Sequence, residues 1–361
     1  MTETEQHWLR LHLTPGLGRT GLLRLVSTFG SPAAACSASP ADWISRAGTR
    51  PDVAHNRPSA AFFATTCDRL NQLSVRIISI FDPAYPQQLA AIHDPPTLLY
   101  VRGQLPAQDA FAVVGSRQPL AGNRQWATAL CAELAAHDIT IVSGLARGID
   151  SAAHTGALEG KGQTIAVLGC GIDRIYPREN ARLFERIPEQ GAIISEYPPD
   201  APPVAGHFPG RNRIISGLSK GVLVVEAAAK SGSLITVDFA LEQGREVFAA
   251  PGAVYASGSI GVNRLLKEGA HPVIEARDIL EHLWPATPPR EIVQKHQSFA
   301  ETLTGAALKT YLALGPEPLH GDDLVRKTGL TPIELSAILL HLELQGGITQ
   351  LPGTRYIRAD F

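Results

Sequence analysis

Arginines and glycines recur in this chain at positions that suit a phosphate. They stand in Gly115-Ser116-Arg117, in Ser143-Gly144-Leu145-Ala146-Arg147-Gly148-Ile149-Asp150, in Gly169-Cys170-Gly171, and in the stretch from Gly206 to Gly232 with Ser233 after it. Glycine lets backbone N–H groups approach an anion, a helix N-terminus favours negative charge, and a guanidinium clamps phosphate oxygens with parallel hydrogen bonds. Within Gly206 to Gly232, Arg211, Arg213, Lys220 and Lys230 stand against a single carboxylate, Glu226, although the chain as a whole carries a net charge of -2. Phe208 lies just ahead of Arg211. An aromatic ring beside arginines suits a single nucleic-acid strand, because bases stack on the ring, at about 1–3 kcal/mol each, while guanidinium groups hold the backbone. Two competing readings stay open: Phe208 as a buried loop anchor, and each glycine as nothing more than the residue that closes a strand-to-helix turn.

Other chemistries find less support. The dinucleotide fingerprint G-x-G-x-x-G fails after Gly115, where the next glycine is Gly122, and no G-x-x-x-x-G-K-[ST] occurs. Asp150 and His154 are four positions apart at the start of a predicted helix, where a capping or packing role competes with a catalytic one. Glu226, at the end of a predicted strand, suits a general base, or equally a tether for Arg213 or Lys230. With no nucleophile, metal-ligand spacing or paired carboxylates around it, no catalytic residue, cofactor or metal is expected. Cys36, Cys67, Cys131 and Cys170 are scattered without a C-x-x-C pair, which fits reduced thiols.

The elements that must position these residues follow from the pattern of apolar runs. With 361 residues, 44% of them hydrophobic, the chain can bury at least one full core and suits two or three domains. No apolar run reaches the roughly 18 residues of a membrane span, and the N-terminus lacks the order of a signal peptide, so a cytoplasmic protein is expected. A polyanion would have to be met by a local patch, not by the global charge.

Apolar residues at helical spacing over 5–29, broken by Pro15-Gly16-Leu17-Gly18, predict a helix, a tight turn and a helix. This fits either a helix-hairpin-helix that presents backbone amides to a DNA phosphate or a plain helix-helix turn. Residues 31–59 read as loop-rich, with one short helix around 42–46, and a helix at 62–73 and a strand at 75–80 follow. After a Pro-rich passage, another strand is expected at 98–101.

From Phe111 short apolar strands alternate with helices. Strands are predicted at 111–114, 140–142, 164–168, 192–194, 222–225 and 246–249, with 272–274 the least regular, and helices at 123–137, 149–159, 178–187, 233–243 and 260–268. This is the pattern of a doubly wound parallel sheet, whose ligands lie beyond the C-terminal ends of the strands, where the glycine and arginine segments fall. Residues 284–300 read as a Pro-rich linker. Three helices and a hairpin over 302–361 suggest a winged helix, whose third helix, with no Lys or Arg in IELSAILLHLELQ, suits a protein contact better than a major groove.

The runs VVGSR at 113–117, SGLARGID at 143–150, GCGIDRIYPREN at 169–180, HFPGRNRIISGLSKGVLVVEA at 207–227, SGSLIT and ALEQGREVFAAPG resemble the DNA-processing protein A family, DprA or Smf, over about half of the chain. The resemblance implies an extended Rossmann-like α/β domain at 76–283 that binds DNA and dimerises. A SAM-like or helix-hairpin-helix-like helical domain at 1–75 and a winged-helix-like domain at 301–361 would flank it. It further implies a single-stranded DNA-binding recombination mediator, without enzyme activity, that protects incoming DNA in natural transformation and loads RecA onto it as a homodimer. Carried over by motif, Gly115, Ser116, Arg117, Arg178, Phe208, Arg211, Asn212, Arg213, Gly232, Ser233 and Leu234 become strand contacts, beside Arg147 and Lys230 from the residues themselves. The chain departs from the family at Gly210 and at Ala205-Gly206, where many relatives place a basic residue.

Two other classes of function remain. One is a nucleoside-monophosphate phosphoribohydrolase related to the lysine-decarboxylase-like proteins, although the P-G-G-x-G-T-x-x-E motif of those enzymes is missing from Val225 to Gly232. The other is an adaptor with a vestigial pocket.

Overall fold

The computed structural model describes residues 1–285, 298–315 and 318–359. These fall into two compact units, Met1–Trp284 and Pro285–Phe361. Most of the predicted linker, residues 286–297, lies outside the described residues.

The first unit begins with helices α1 (Glu3–His12) and α2 (Arg19–Phe29) on either side of the predicted turn. Thr2 and Glu5 close a capping box on α1. The second carboxylate oxygen of Glu5 accepts from the Ile77 N–H at 3.0 Å, which ties this helix to the sheet.

Residues 31–59 hold the short helix expected around 42–46 but are otherwise less loop-rich than expected. They form three short helices, α3 (Pro32–Ser37), α4 (Pro40–Ala47) and α5 (Pro51–Ala54), each opening on a proline at its first position. Proline there costs no hydrogen bond and presets φ, and Ser31 and Ser39 cap the first two from their side chains. Trp43 is fully buried and donates its indole N–H to the Ala35 carbonyl at 2.7 Å, so this segment is packed. The chain continues through α6 (Ala60–Gln72), β1 (Val75–Ser79), α7 (Gln87–Ala90) and β2 (Leu98–Gly103).

The alternating region then runs β3 (Ala110–Gly115), α8 (Ala121–Ala136), β4 (Thr140–Ser143), α9 (Ile149–Glu159), β5 (Thr164–Leu168), α10 (Ala181–Arg186) and β6 (Gly191–Ser195). It closes with α11 (His207–Gly217), β7 (Gly221–Val225), α12 (Leu234–Glu242), β8 (Glu246–Ala249), α13 (Ile260–Lys267), β9 (His271–Pro272) and α14 (Ala276–Leu283). The single helix predicted at 178–187 is instead α10 between two 3₁₀ turns, the second of them holding Pro188.

All nine strands join one sheet in the order β1-β2-β6-β5-β4-β3-β7-β8-β9. The strands β3 to β9 are parallel, while β2 pairs antiparallel with both β6 and β1. Alternation along the strands supplies two cores. Phe111, Val113, Leu223 and Val225 pack on one face with α8 and α9, and Ala112, Val114, Val222 and Val224 pack on the other with α11 and α12. The fold is thus the expected doubly wound α/β sheet, extended by antiparallel strands.

The N-terminal helices do not stand apart as a unit of 1–75. Trp8, Leu22 and Trp43 share one hydrophobic cluster with Leu98, Ala166 and Ile193 of the sheet. The hairpin between α1 and α2 is engaged as well, for Arg19 pairs with Asp94 and donates to the Pro95 carbonyl at 3.2 Å.

The second unit has helices Gly305–Ala313, Gly321–Thr328 and Pro332–Leu344 and a three-stranded sheet, β10 (Leu319–His320), β11 (Ile348–Leu351) and β12 (Arg355–Arg358), in the order β10-β12-β11. This is the winged-helix arrangement, with its own core around Tyr311, Leu324, Leu339 and Ile348. Its third helix exposes Ile333, Leu340 and Leu344.

Candidate nucleic-acid interface

Strand order reverses at β3. The chain leaves it toward β4, β5 and β6 on one side and returns on its other side as β7. Loops diverge beyond the C-terminal ends of two such strands and leave a crevice. Here that crevice is a cleft of about 910 Å³, bounded by Gly115–Arg117, Ala146–Arg147, Phe208, Arg211 and Lys230–Ser233. Three of the four predicted segments therefore converge on this cleft, as the strand-end rule requires, while Gly169-Cys170-Gly171 stays outside its lining.

Gly115 ends β3 opposite Val225 of β7, and Ser116 N–H donates to the Val225 carbonyl at 3.3 Å. A Cβ on Gly115 would run into that same carbonyl oxygen, so glycine is what lets the two strands stay paired up to the crevice. The next loop is held from below by Glu226. Its carboxylate accepts from Leu120 N–H at 2.8 Å and from the Asn123 side-chain amide at 2.6 Å. Glu226 is buried, does not line the cleft, and contacts neither Arg213 nor Lys230. Both earlier readings of this residue give way to a third, a clamp that fixes the loop carrying Arg117.

The segment 143–150 is shaped by positive φ at Leu145 (55°) and Gly148 (78°) and closed by Asp150. The buried Asp150 carboxylate accepts from Gly144 N–H at 3.2 Å and Ala146 N–H at 3.3 Å, the structural role weighed for it. Burial pushes its pKa up, opposed by the Arg211 guanidinium. His154 does not face it; that ring is fully buried, 2.7 Å from the Thr164 hydroxyl. Asn180 adds a brace, its side-chain amide donating to the Leu145 carbonyl at 2.8 Å and the Ala146 carbonyl at 3.2 Å. Arg147 points outward and pairs with Glu179 at 2.6 Å, where both side chains are 59% exposed.

The stretch after Gly206 is not a connecting loop. It forms helix α11, and the helical phase sorts its residues. Phe208, Arg211, Asn212 and Ile215 recur at i, i+3, i+4 and i+7 and face the cleft. Phe208 is half-buried, and its ring carries the Arg117 guanidinium at 5.6 Å on one flank and Tyr176 at 5.9 Å on another. Tyr176, 42% exposed, lines the cleft too. Sequence reading passed over it, although an aromatic directly before Pro177 and the basic Arg178 was a usable signal.

Arg211 lies only 4% exposed, with its guanidinium donating to the Gly144 carbonyl at 2.6 Å and to that of Val167. It links the loops beyond β4 and β5, and burial lowers its pKa while the Asp150 charge raises it. Asn212 joins α11 to the opposite wall through the Gly232 carbonyl at 3.4 Å.

Arg213 faces away from the cleft and is 7% exposed. Two positions on a helix are about 200° apart, so it cannot share a face with Arg211. It is bound by Asp94 at 3.1 Å, Glu196 at 2.7 Å and the Gly210 carbonyl at 2.9 Å. Leu234 also leaves the cleft, packing against the cluster beneath α12. Arg178 is exposed on a 3₁₀ turn, outside the cleft lining. At the far wall Lys230 is exposed, and Ser231 and Ser233 share a hydrogen bond at 2.8 Å. The charges along the cleft are thus Arg117, Arg147, Arg211 and Lys230 against the occupied carboxylate of Asp150. No helix among the described residues is long and apolar enough to cross a membrane.

Known proteins share this architecture. The family model of the DNA recombination-mediator protein A matches residues 76–284, and that of the DprA winged helix domain matches residues 295–354. Protein Smf of Escherichia coli is 45% identical over 303 residues, which are 80% of this chain and 79% of that protein. The crystal structure of DprA from Streptococcus pneumoniae superimposes with a TM-score of 0.68 at 36% identity, covering 78% of this chain and 98% of that one. The DprA of Helicobacter pylori, described in its single-stranded DNA binding mode, reaches a TM-score of 0.52 at 32% identity, covering 56% of this chain and 94% of that one. With a family model over more than half of its length and a relative this close over four-fifths of it, the chain belongs to the DprA (Smf) family of DNA processing proteins.

Proposed function

We propose that this protein binds single-stranded DNA in the cleft without regard to sequence, protects incoming strands during natural transformation, and loads the RecA recombinase onto them. The observation that carries the reading is the Phe208 ring at the cleft, flanked by Arg117 and Tyr176, with Lys230 on the facing wall. A ring that every base can stack on, beside cations that meet the backbone, recognises a strand and not a base sequence. The single-strand binding mode described for the Helicobacter pylori relative supports the same ligand. Among the candidate contacts, the geometry favours Gly115, Ser116, Arg117, Arg147, Phe208, Lys230, Gly232 and Ser233 as the residues that meet DNA. Arg178 extends the basic surface beyond the cleft, and Arg211 and Asn212 act by holding the walls.

The protein acts as a binder and works as a homodimer through its α/β domain. The phosphoribohydrolase alternative loses its candidate base, because Glu226 is buried outside the cleft lining, with one carboxylate oxygen held by Leu120 and Asn123. The apolar residues Ile333, Leu340 and Leu344 on the third helix of the winged-helix unit suit a protein partner.

Salt-dependent binding to labelled single-stranded and duplex DNA, read together with the mass in solution, tests ligand and oligomer. Preference for single strands, with affinity falling steeply with salt, is expected. Equal binding of an oligo-dT by wild type and by the Arg117→Ala/Phe208→Ala double variant would place the strand elsewhere. RecA assembly on strands already covered by a single-strand binding protein tests the loading step, and no acceleration by this protein would remove that part of the reading.

A further inference from the structure

At the far end of the sheet from the cleft, three residues from three elements bring ligand atoms together. Glu246 opens β8, His271 lies in β9 and His282 in the last turn of α14. Their ligand atoms all lie within 4.8 Å of one another. The His271 Nε2 is 3.2 Å from one Glu246 oxygen, and the His282 Nε2 is 3.7 Å from the same oxygen. A tetrahedral zinc ion, with bonds of about 2.0–2.2 Å, sets its ligands about 3.4 Å apart, and these two separations bracket that value.

We propose that Glu246, His271 and His282 form a divalent transition-metal site, best suited to Zn²⁺, that pins the edge of the sheet. The donor set fits the metal: two imidazole nitrogens and one carboxylate are common zinc ligands, and a tripod leaves a fourth position for water. The backbone prepares it. In β8 and β9, Phe248 pairs with His271 in register. The Phe248 ring lies 5.2 Å from the His271 ring and 5.5 Å from that of His282, which supports both imidazoles from beneath. The imidazoles themselves stand 3.9 Å apart, and each is more than a third exposed, so an ion can enter without rearrangement.

The consequence of binding is mechanical. β9 has only two residues, and a shared ion would cross-link it and the end of α14 to β8. Binding to the folded state alone raises stability in proportion to the logarithm of free metal. The cysteines offer no rival site among the described residues, since they are separate from one another and burial raises the thiol pKa of each.

Untagged full-length protein titrated with Zn²⁺ by calorimetry in a non-chelating buffer tests this. One ion per chain is expected, with a rise in Tm on addition. Affinity should fall at least about tenfold in His271→Ala and in His282→Ala, and less in Glu246→Gln. Co²⁺ in place of Zn²⁺ should give the strong visible bands of a four-coordinate ion in wild type and lose them in the two histidine variants. Single-stranded DNA binding by all three variants should match wild type, which shows that they fold. Absence of Zn²⁺ binding by wild type, or binding and Co²⁺ spectra unchanged in the His271→Ala/His282→Ala double variant, would overturn the proposal.

Discussion

The Arg117 guanidinium lies 5.6 Å from the centre of the Phe208 ring and so joins the loop after β3 to the first turn of α11. Charge and stacking surface meet there on two segments 91 positions apart in the sequence. The pair can be separated by experiment because the roles proposed for the two residues differ, a ring stacking on bases and a guanidinium meeting phosphates. Phe208→Ala should cost about 1–3 kcal/mol of single-strand affinity at every base composition and leave the salt dependence alone. Arg117→Ala should weaken binding and lower the slope of log affinity against log salt by about 0.7. Anisotropy titrations of labelled oligonucleotides at several salt concentrations measure both, and identical salt slopes in Arg117→Ala and wild type would remove Arg117 from the phosphate path.

Arg211 is expected to act through stability. Its removal leaves the buried Asp150 carboxylate without its neighbouring charge and frees the carbonyls of Gly144 and Val167. Loss of a buried guanidinium that braces two carbonyls and neighbours a buried carboxylate is costly, so Arg211→Ala should lower Tm strongly. Arg211→Lys should recover part of that loss, since it restores the charge but not the fork. A Tm for Arg211→Ala within a degree or so of wild type would contradict the clamp.

Arg213 provides the contrasting case. Held by Asp94 and Glu196 behind the helix, it should contribute to stability and not to DNA contact. Arg213→Ala is expected to lower the urea midpoint while the salt slope of single-strand binding stays at the wild-type value. A reduced slope would mean that the side chain reaches DNA.

The buried His154 and the partly buried His12 give the fold a dependence on pH. Burial lowers His12, 2.8 Å from the Tyr100 hydroxyl, to about 4, and lowers His154 to about 3, from 6.5. An unfolded chain therefore takes up these protons first as pH falls. The stability that rests on neutral histidines is complete above about pH 6.5 and is lost progressively toward pH 4, by about 1.4 kcal/mol per unit for each ring. Unfolding free energies from urea titrations at about pH 7.5 and pH 5 should differ by about 4 kcal/mol for the two rings together, and His12→Gln/His154→Gln should flatten the trend. An unchanged slope in the double variant would assign the dependence to other groups.

The alternation of apolar strands and helices from Phe111 onward was legible in the sequence, because period and turn residues are local properties. Glycines and arginines after the strands pointed to the cleft for the same reason. Three features were less accessible. The Ser-Pro start of α3 and the Arg-Pro start of α5 carried a helix signal that composition obscured, whereas α4 lies over the short helix expected around 42–46. The basic stretch after Gly206, rich in Gly and Pro, concealed a helix. Glu226 read as a base or a tether for Arg213 or Lys230 because Leu120 and Asn123, its partners, are more than 100 positions away.

By itself, then, the sequence determined the class of the sheet, the end of it where the cleft opens, and the family. Tertiary structure decided which cations are available there. Arg211 and Arg213 are the same residue type two positions apart, and the phase of α11 sends one into the floor of the cleft and the other to Asp94 and Glu196. Tertiary structure also brought Glu246, His271 and His282 together, since ligands from a strand start, an edge strand and a helix end share no local spacing that a sequence could display.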